Sequence, residues 1–243
     1  MKKSSLSFNR IIDISQPVSS RTACFPGDVP FSKRVTLSYQ ESGVINLTAF
    51  TMSPHVGSHA DAPVHIKGDL SDQSLGAAAM KLSAFLGTVL VIDLTRLANQ
   101  VEDSENEAQD WREEIGGEHL GEIKARIASL LKQFDLQMPE RVLFKTLTKV
   151  APEQFEASYA YIGTETAKYL AQEKTKLVGL DTPSVDHINA KVLATHHILE
   201  EAGMVWLENL DLSEVEEGVY QLIALPLKME ELEASPLRAV LLA

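Results

Sequence analysis

His55-Val56-Gly57-Ser58-His59-Ala60-Asp61-Ala62-Pro63-Val64-His65 gathers three of the chain's seven histidines into eleven residues. The three imidazoles and the carboxylate all stand at odd positions, as do Gly57 and Pro63. In extended backbone, alternate side chains point to one side. A helix would align His55 with His59 but carry Asp61 off that face, and Gly57 and Pro63 disfavour it. The stretch therefore reads as extended chain with its polar groups on one side. Drawn out straight, ten residues span about 33 Å. The four side chains meet only if the chain curls, and Gly57 and Pro63 are where it can. Imidazole and carboxylate together are a ligand set for Zn²⁺ or Mn²⁺. His55, His59 and Asp61 are near enough to share one ion, while His65, further along, suits an acid/base beside it. A polar turn with solvated histidines is the competing reading of this spacing.

Outward from this stretch, strands and helices interleave. Ile11–Ile14, Arg34–Tyr39, Val44–Met52 and Thr88–Leu94 read as strands. Leu120, Ile123, Ile127, Leu130, Leu131 and Phe134 recur at helical spacing. Arg141–Thr146 and Leu177–Leu180 read as strands, with a helix over Thr164–Lys174 between them. A second helix is expected from Asp186 to Ala202, stopped by Gly203. Val205–Leu212 and Tyr220–Leu225 follow as strands. The pattern implies a mixed α/β fold rather than a pure barrel or bundle.

The helix and the strand after it add two more candidate ligands. His196 shares a stripe with Val192 and Leu199, so it is expected to face inward, and His197 outward. Glu208 has Trp206 and Leu210 as its same-face neighbours. A carboxylate on an apolar face is costly without a partner. A metal would serve, and so would an arginine.

The chain has 243 residues, 44% of them hydrophobic and 23% charged, so it can bury a core and is neither disordered nor fibrous. Its net charge of -12 repels phosphate backbones, which argues against nucleic-acid binding. Nine acids against Arg112 crowd residues 101–122, expected as a solvated loop. The lone cysteine, Cys24, excludes an internal disulfide and a cysteine-based zinc cluster, and it fits a reducing compartment. The apolar stretch Phe85–Leu94 is broken by Gly87, Thr88 and Asp93 and is too short to span a membrane. The opening residues, MKKSSLSFNRIIDI, hold no apolar run like that of a secretory signal. A soluble, cytoplasmic protein with no membrane partner is expected.

The central stretch resembles the signature of the cyclase-type metal-dependent hydrolases, His-x-Gly-Thr-His-x-Asp-x-Pro-x-His, with Ser58 in place of the threonine. Asp13-Ile14-Ser15, Phe25-Pro26-Gly27-Asp28, Gly179–Asp186, His196-His197 and Leu207-Glu208 resemble further family segments. Ala224–Lys228 and Ala234–Leu241 resemble the kynurenine formamidase (arylformamidase) branch in particular. The resemblance implies one domain over residues 1–243, with a curved mixed β-sheet packed by helices (swivelling β/β/α, cyclase-like) and an acidic insert around 99–122. It implies two zinc ions per subunit: His55, His59 and Asp61 on one, Asp61 bridging to a second held by His196 and Glu208, and His65 as catalytic acid/base. Phe25 stands where this branch commonly has a tryptophan lining an aryl pocket. The implied reaction is hydrolysis of N-formyl-L-kynurenine to L-kynurenine and formate by metal-activated water, in a homodimer or higher homo-oligomer. Isatin or another cyclic amide is the alternative substrate, and a non-catalytic metal-binding member the alternative class.

Overall fold

Val89 and Val91 point into one apolar core while Leu90 and Ile92 point into another, and this alternation sets the plan of the molecule. The computed structural model describes residues 9–95 and 114–243. Nine strands form one curled mixed sheet in the order β1 (Ile11–Asp13), β13 (Val240–Leu242), β11 (Gly218–Ile223), β5 (Leu86–Asp93), β7 (Arg141–Lys145), β9 (Leu177–Leu180), β10 (Val205–Glu208), β4 (His59–Asp61) and β12 (Ala234–Pro236). The middle strands β5, β7, β9 and β10 run parallel, and the outer ones pair antiparallel. Parallel strands covered on both faces read as unbroken apolar runs, which is why Arg141–Thr146 and Leu177–Leu180 are recognisable in the sequence.

One face of the sheet packs Ile12, Leu143, Leu177, Leu207 and Leu241 together. The other carries Val142, Phe144, Val178 and Trp206 against helices. These helices are α2 (Leu120–Gln133), α3 (Thr164–Gln172) and α4 (Ala194–Glu201). Ile123, Ile127 and Leu130 form the buried stripe of α2, each contributing roughly 1.5–3 kcal/mol by leaving water. Phe134, expected on that stripe, lies past the helix end and is 42% exposed.

The helix expected from Asp186 is shorter at its start. It begins at Ala194, after Leu193 in left-handed conformation. Asp186 still caps it: its carboxylate accepts from the backbone N–H of Thr195 and of His196. The cap therefore works across a loop instead of from the adjoining turn, and Val192 is 74% exposed rather than on the inward stripe. The far end is as expected: Gly203, at φ +67°, donates to the Glu200 carbonyl, and Met204 to that of Leu199. The strand expected over Val205–Leu212 stops at Glu208, because Asn209 turns left-handed at φ +55°.

Strands β2 (Ser32–Leu37) and β3 (Leu47–Thr51), joined by the single-turn helix α1 (Tyr39–Ser42), make a separate hairpin. Its large apolar residues are exposed, Phe50 at 63% and Val44 at 74%. Short strands β6 (Glu114–Ile115) and β8 (Tyr161–Ile162) pair in parallel. The end of the acidic insert is thus strand, a short 3₁₀ turn and the start of α2 rather than loop. Residues 1–8 and 96–113, which hold most of that insert and the stretch weighed for a secretory signal, lie outside the described residues. Among the described residues no helix is long and apolar enough to cross a membrane.

Candidate metal centre

Strand β4 lies between β10 and β12, and its register builds the site. Leu207 faces Ala60, and Glu208 faces His59. Ala60 and Leu207 point into the first core, so His59 and Asp61 point to the opposite face, beside Trp206 and Glu208. Two devices deliver the chain into this strand. Gly57 has φ +73°, and a Cβ there would lie 2.7 Å from Val18 Cγ2. The Ser58 hydroxyl donates to the Asn209 carbonyl at 2.5 Å and accepts from Gln16 N–H at 2.9 Å. Both bonds use only the hydroxyl, which accounts for serine serving in the position of a threonine. Beyond Asp61 the chain turns through a 3₁₀ segment, Pro63–His65. The stretch is extended only over β4, and it curls at Gly57 and Pro63 as its sequence requires.

All six polar candidates converge. Asp61 Oδ1 lies 3.1 Å from His55 Nδ1 and 3.3 Å from His59 Nε2. Its other oxygen lies 3.6 Å from His196 Nε2 and 3.9 Å from His65 Nε2. Glu208 Oε2 is 3.3 Å from His59 Nε2, and Oε1 is 3.7 Å from His196 Nε2. Two donor triads fall within 4.8 Å: His55, Asp61 and His65, and His59, Asp61 and Glu208. Both differ from the expected grouping: the first brings His65 within reach of an ion in place of His59, and the second sets His59 rather than His196 beside Asp61 and Glu208.

The far nitrogens of these rings are held by oxygen. His59 Nδ1 meets the Gly57 carbonyl at 2.9 Å, His196 Nδ1 meets Asp186 Oδ2 at 2.6 Å, and His55 Nε2 lies 3.5 Å from Glu233. With its Nδ1 proton on the carbonyl, His59 turns a bare Nε2 lone pair toward two carboxylate oxygens. That nitrogen and Asp61 Oδ1 are buried without a hydrogen-bond partner. Lone pairs facing one another in a buried pocket need a proton or a metal cation between them. The local field agrees. Burial opposes charge on His59 and on His196, yet the surrounding carboxylates raise both imidazoles to about 10. Burial likewise works against the Asp61 carboxylate, yet the facing histidines hold it well below the usual range. The residues present therefore fit divalent cations, which would replace protons between these donors.

His65 differs. Among the described residues its ring makes no hydrogen bond, and burial lowers its pKa, so the neutral form prevails. It faces a cleft of about 660 Å³ that reaches the donors and is lined by Phe25, Phe155, Pro183 and Leu193. Phe25 and Phe155 meet edge to face at 5.3 Å.

Three residues escaped the sequence reading. The Trp206 indole donates to Asp61 Oδ2 at 2.9 Å; its place two residues before Glu208 was the available signal. Asp186 orients His196, and Glu233 sits at His55. Neither carries a local sign of that role.

A curled mixed sheet with a cage of imidazoles and carboxylates at one end defines a cation-binding α/β protein. The family model described as Putative cyclase matches residues 12–187, and the chain belongs to this Cyclase family. It is 35% identical over 230 residues to a kynurenine formamidase of Bacillus cereus, covering 95% of this chain and 96% of that protein. It is 36% identical over 232 residues to a kynurenine formamidase of Bordetella avium, covering 96% and 97%. Among solved structures, a predicted metal-dependent hydrolase from Bacillus stearothermophilus matches with a TM-score of 0.69 and 25% identity, covering 96% and 97%. An isatin hydrolase bound to the product analogue thioisatinate matches with a TM-score of 0.76 over 96% and 92%. At 19% identity, that likeness concerns the fold alone.

Proposed function

We propose that this chain is a metal-dependent arylformamidase of the kynurenine formamidase type, hydrolysing N-formyl-L-kynurenine to L-kynurenine and formate in tryptophan catabolism. The observation that carries the reading is the convergence of His55, His59, Asp61, His196 and Glu208 at the floor of a cleft walled by Phe25 and Phe155. The nearly full-length likeness to kynurenine formamidases at 35–36% identity supports the same substrate.

In this reading, His55, His59 and Asp61 would hold one zinc ion and Asp61, His196 and Glu208 a second, with His59 also within reach of Glu208. Asp61 would serve both ions, since its two oxygens face different histidines. Manganese suits the same donors. Ions bound there supply Lewis acidity, acidifying water and polarising a carbonyl. The chain's own groups do the rest. Trp206 and Asp186 fix the orientations of Asp61 and His196. The phenylalanine pair packs the aryl ring. Neutral His65 takes a proton from water as the water oxygen adds to the formyl carbon, and it returns that proton to the aniline nitrogen as the carbon–nitrogen bond breaks.

Three finer points belong to this proposal. The protein is one domain, supported by a single sheet whose strands come from residues 11 to 242. It works in the cytoplasm, where Cys24 stays a free thiol. It is a homodimer, with the exposed apolar side chains of the β2–β3 hairpin as contact surface. An isolated two-stranded hairpin is marginal in water, so this one gains by being covered. Sedimentation of a Phe50→Glu variant checks the last point; dimer persistence would place the interface elsewhere.

Hydrolysis of N-formylkynurenine, measured beside isatin and with and without a chelator, tests the main reading. Chelator-sensitive release of formate is expected. Preference for isatin would replace the substrate, and a metal-loaded protein inert towards formamides, lactams and esters would leave only cation binding.

A further inference from the structure

Among the described residues lining the cleft, Lys149 is the only lysine or arginine, and the acids include Asp28, Glu156, Asp181 and the donors Asp61 and Glu208. Away from the donor cage, the described lining therefore repels anions except at one point. Among the described residues Lys149 forms no ion pair or hydrogen bond. Its neighbour in charge, Arg21, is by contrast held by Glu153 at 2.6 Å. A cation left unpaired in a chain with 34 acids against 22 bases is available for a ligand.

Its placement is built rather than incidental. Strand β7 ends at Lys145, and the chain beyond is gripped by the buried Asp181 carboxylate. That carboxylate accepts from Thr146 N–H at 2.9 Å, from the Thr146 hydroxyl at 2.6 Å and from Leu147 N–H at 3.0 Å. Past Lys149, the Pro152 carbonyl accepts from Ala23 N–H at 2.8 Å. The segment is thus pinned at one end to the sheet and at the other to the stretch that carries Phe25. Lys149 rides between these pins on the cleft wall.

We infer that Lys149 is the specificity-determining residue that receives the α-carboxylate of the substrate's amino-acid arm. This deepens the formamidase reading and rests on it. An N-formyl aryl amine with an ortho side arm offers a ring for Phe25 and Phe155, a formyl group for the donor cage, and a carboxylate that, away from that cage, meets no other cationic side chain among the described lining residues. Asp28 and Glu156, which also line the cleft, are available to the arm's ammonium group. Selection works by rejecting as well as by attracting: an anion lacking a correctly placed partner for Lys149 faces only the acids.

The test is steady-state kinetics of the intact, metal-loaded enzyme on N-formylkynurenine, its α-carboxamide and formanilide. In Lys149→Met, the preference for N-formylkynurenine over the carboxamide, taken as the ratio of kcat/KM values, is expected to fall roughly three- to ten-fold, mainly through KM. Lys149→Arg is expected to restore most of it, and added salt to erode it in wild type more than in Lys149→Met. Thermal melts of both variants check folding. An unchanged ratio, or a loss equal for all three substrates, overturns the assignment while leaving the formamidase reading intact. A wild-type enzyme inert on all three overturns both.

Discussion

His59 and Glu208 face each other as register partners on β4 and β10, with Nε2 and Oε2 3.3 Å apart. Partners of this kind keep their side chains on one face of the sheet with Cβ atoms about 5 Å apart. The meeting of an N-terminal histidine and a C-terminal glutamate is therefore dictated by hydrogen-bond pairing of the backbone. A one-residue slip of β4 would send His59 and Asp61 into the apolar core and leave Glu208 facing neither.

The two members of this pair should fail differently. His59→Ala removes a buried lone pair from the centre of the cage, so bound metal and activity should disappear together. Glu208→Gln keeps the shape and the Val185 N–H bond but lowers the charge, so part of the metal should be lost. Elemental analysis of both purified variants reads this directly; full metal content in His59→Ala would remove that residue from the ligand set.

His65 should separate binding from turnover. Its ring is not held by a hydrogen bond, and its Nε2 is 3.9 Å from Asp61, further than any other histidine of the cage. His65→Ala should retain metal and lower kcat by about 10²- to 10⁴-fold, the usual worth of a general acid. Loss of metal in that variant would make His65 a ligand, as its membership of the first donor triad allows.

Gly57→Ala should destabilise the fold by about 2 kcal/mol, from a left-handed φ and the contact with Val18. Adding Val18→Ala should relieve the contact but leave the backbone cost. Urea unfolding of the single and double variants measures the two parts. Equal stability of Gly57→Ala and wild type would show that the turn has other ways to form.

Stability should also depend on pH through Asp181. Burial pushes its carboxyl up to about 6, despite the Thr146 and Leu147 donors. A raised carboxyl pKa favours the fold while the group is protonated. That contribution is complete below the ordinary value near 3.8 and is lost as pH rises through about 6. Wild type should therefore lose roughly 2 kcal/mol relative to Asp181→Asn between pH 4 and 7. Parallel stability profiles for the two proteins would contradict the shift.

The parts of the site that were legible in the sequence share a physical reason. His59 and Asp61 share a face because β4 is extended there, as their spacing predicts, while His55 and His65 reach the same face through the curls at Gly57 and Pro63. His196 and Glu208 announce themselves as polar groups among apolar neighbours, although Val192, offered as a stripe mate for His196, proves exposed. Asp186, Trp206 and Glu233 take their roles from pairing and loop closure, which leave no local periodicity. Strands β12 and β13 have three residues each, too few for an alternation to be seen. The start of α4 was misplaced because a good capping residue acts eight positions before the helix it caps.

Strand β4 is flanked on one side by β10 and on the other by β12, while β13 is hydrogen-bonded to β1 at the far edge of the sheet. During synthesis on the ribosome, residues 55–65 emerge long before the segments that frame them. A nascent chain holding those residues alone has an open, solvated histidine tract with weak grip on any ion. Only when residues 234–242 have emerged and docked does the tract become a dry cage. Metal capture is thus a late maturation event, and trimming of the last ten residues should cost the protein its metal before it costs the protein its helices.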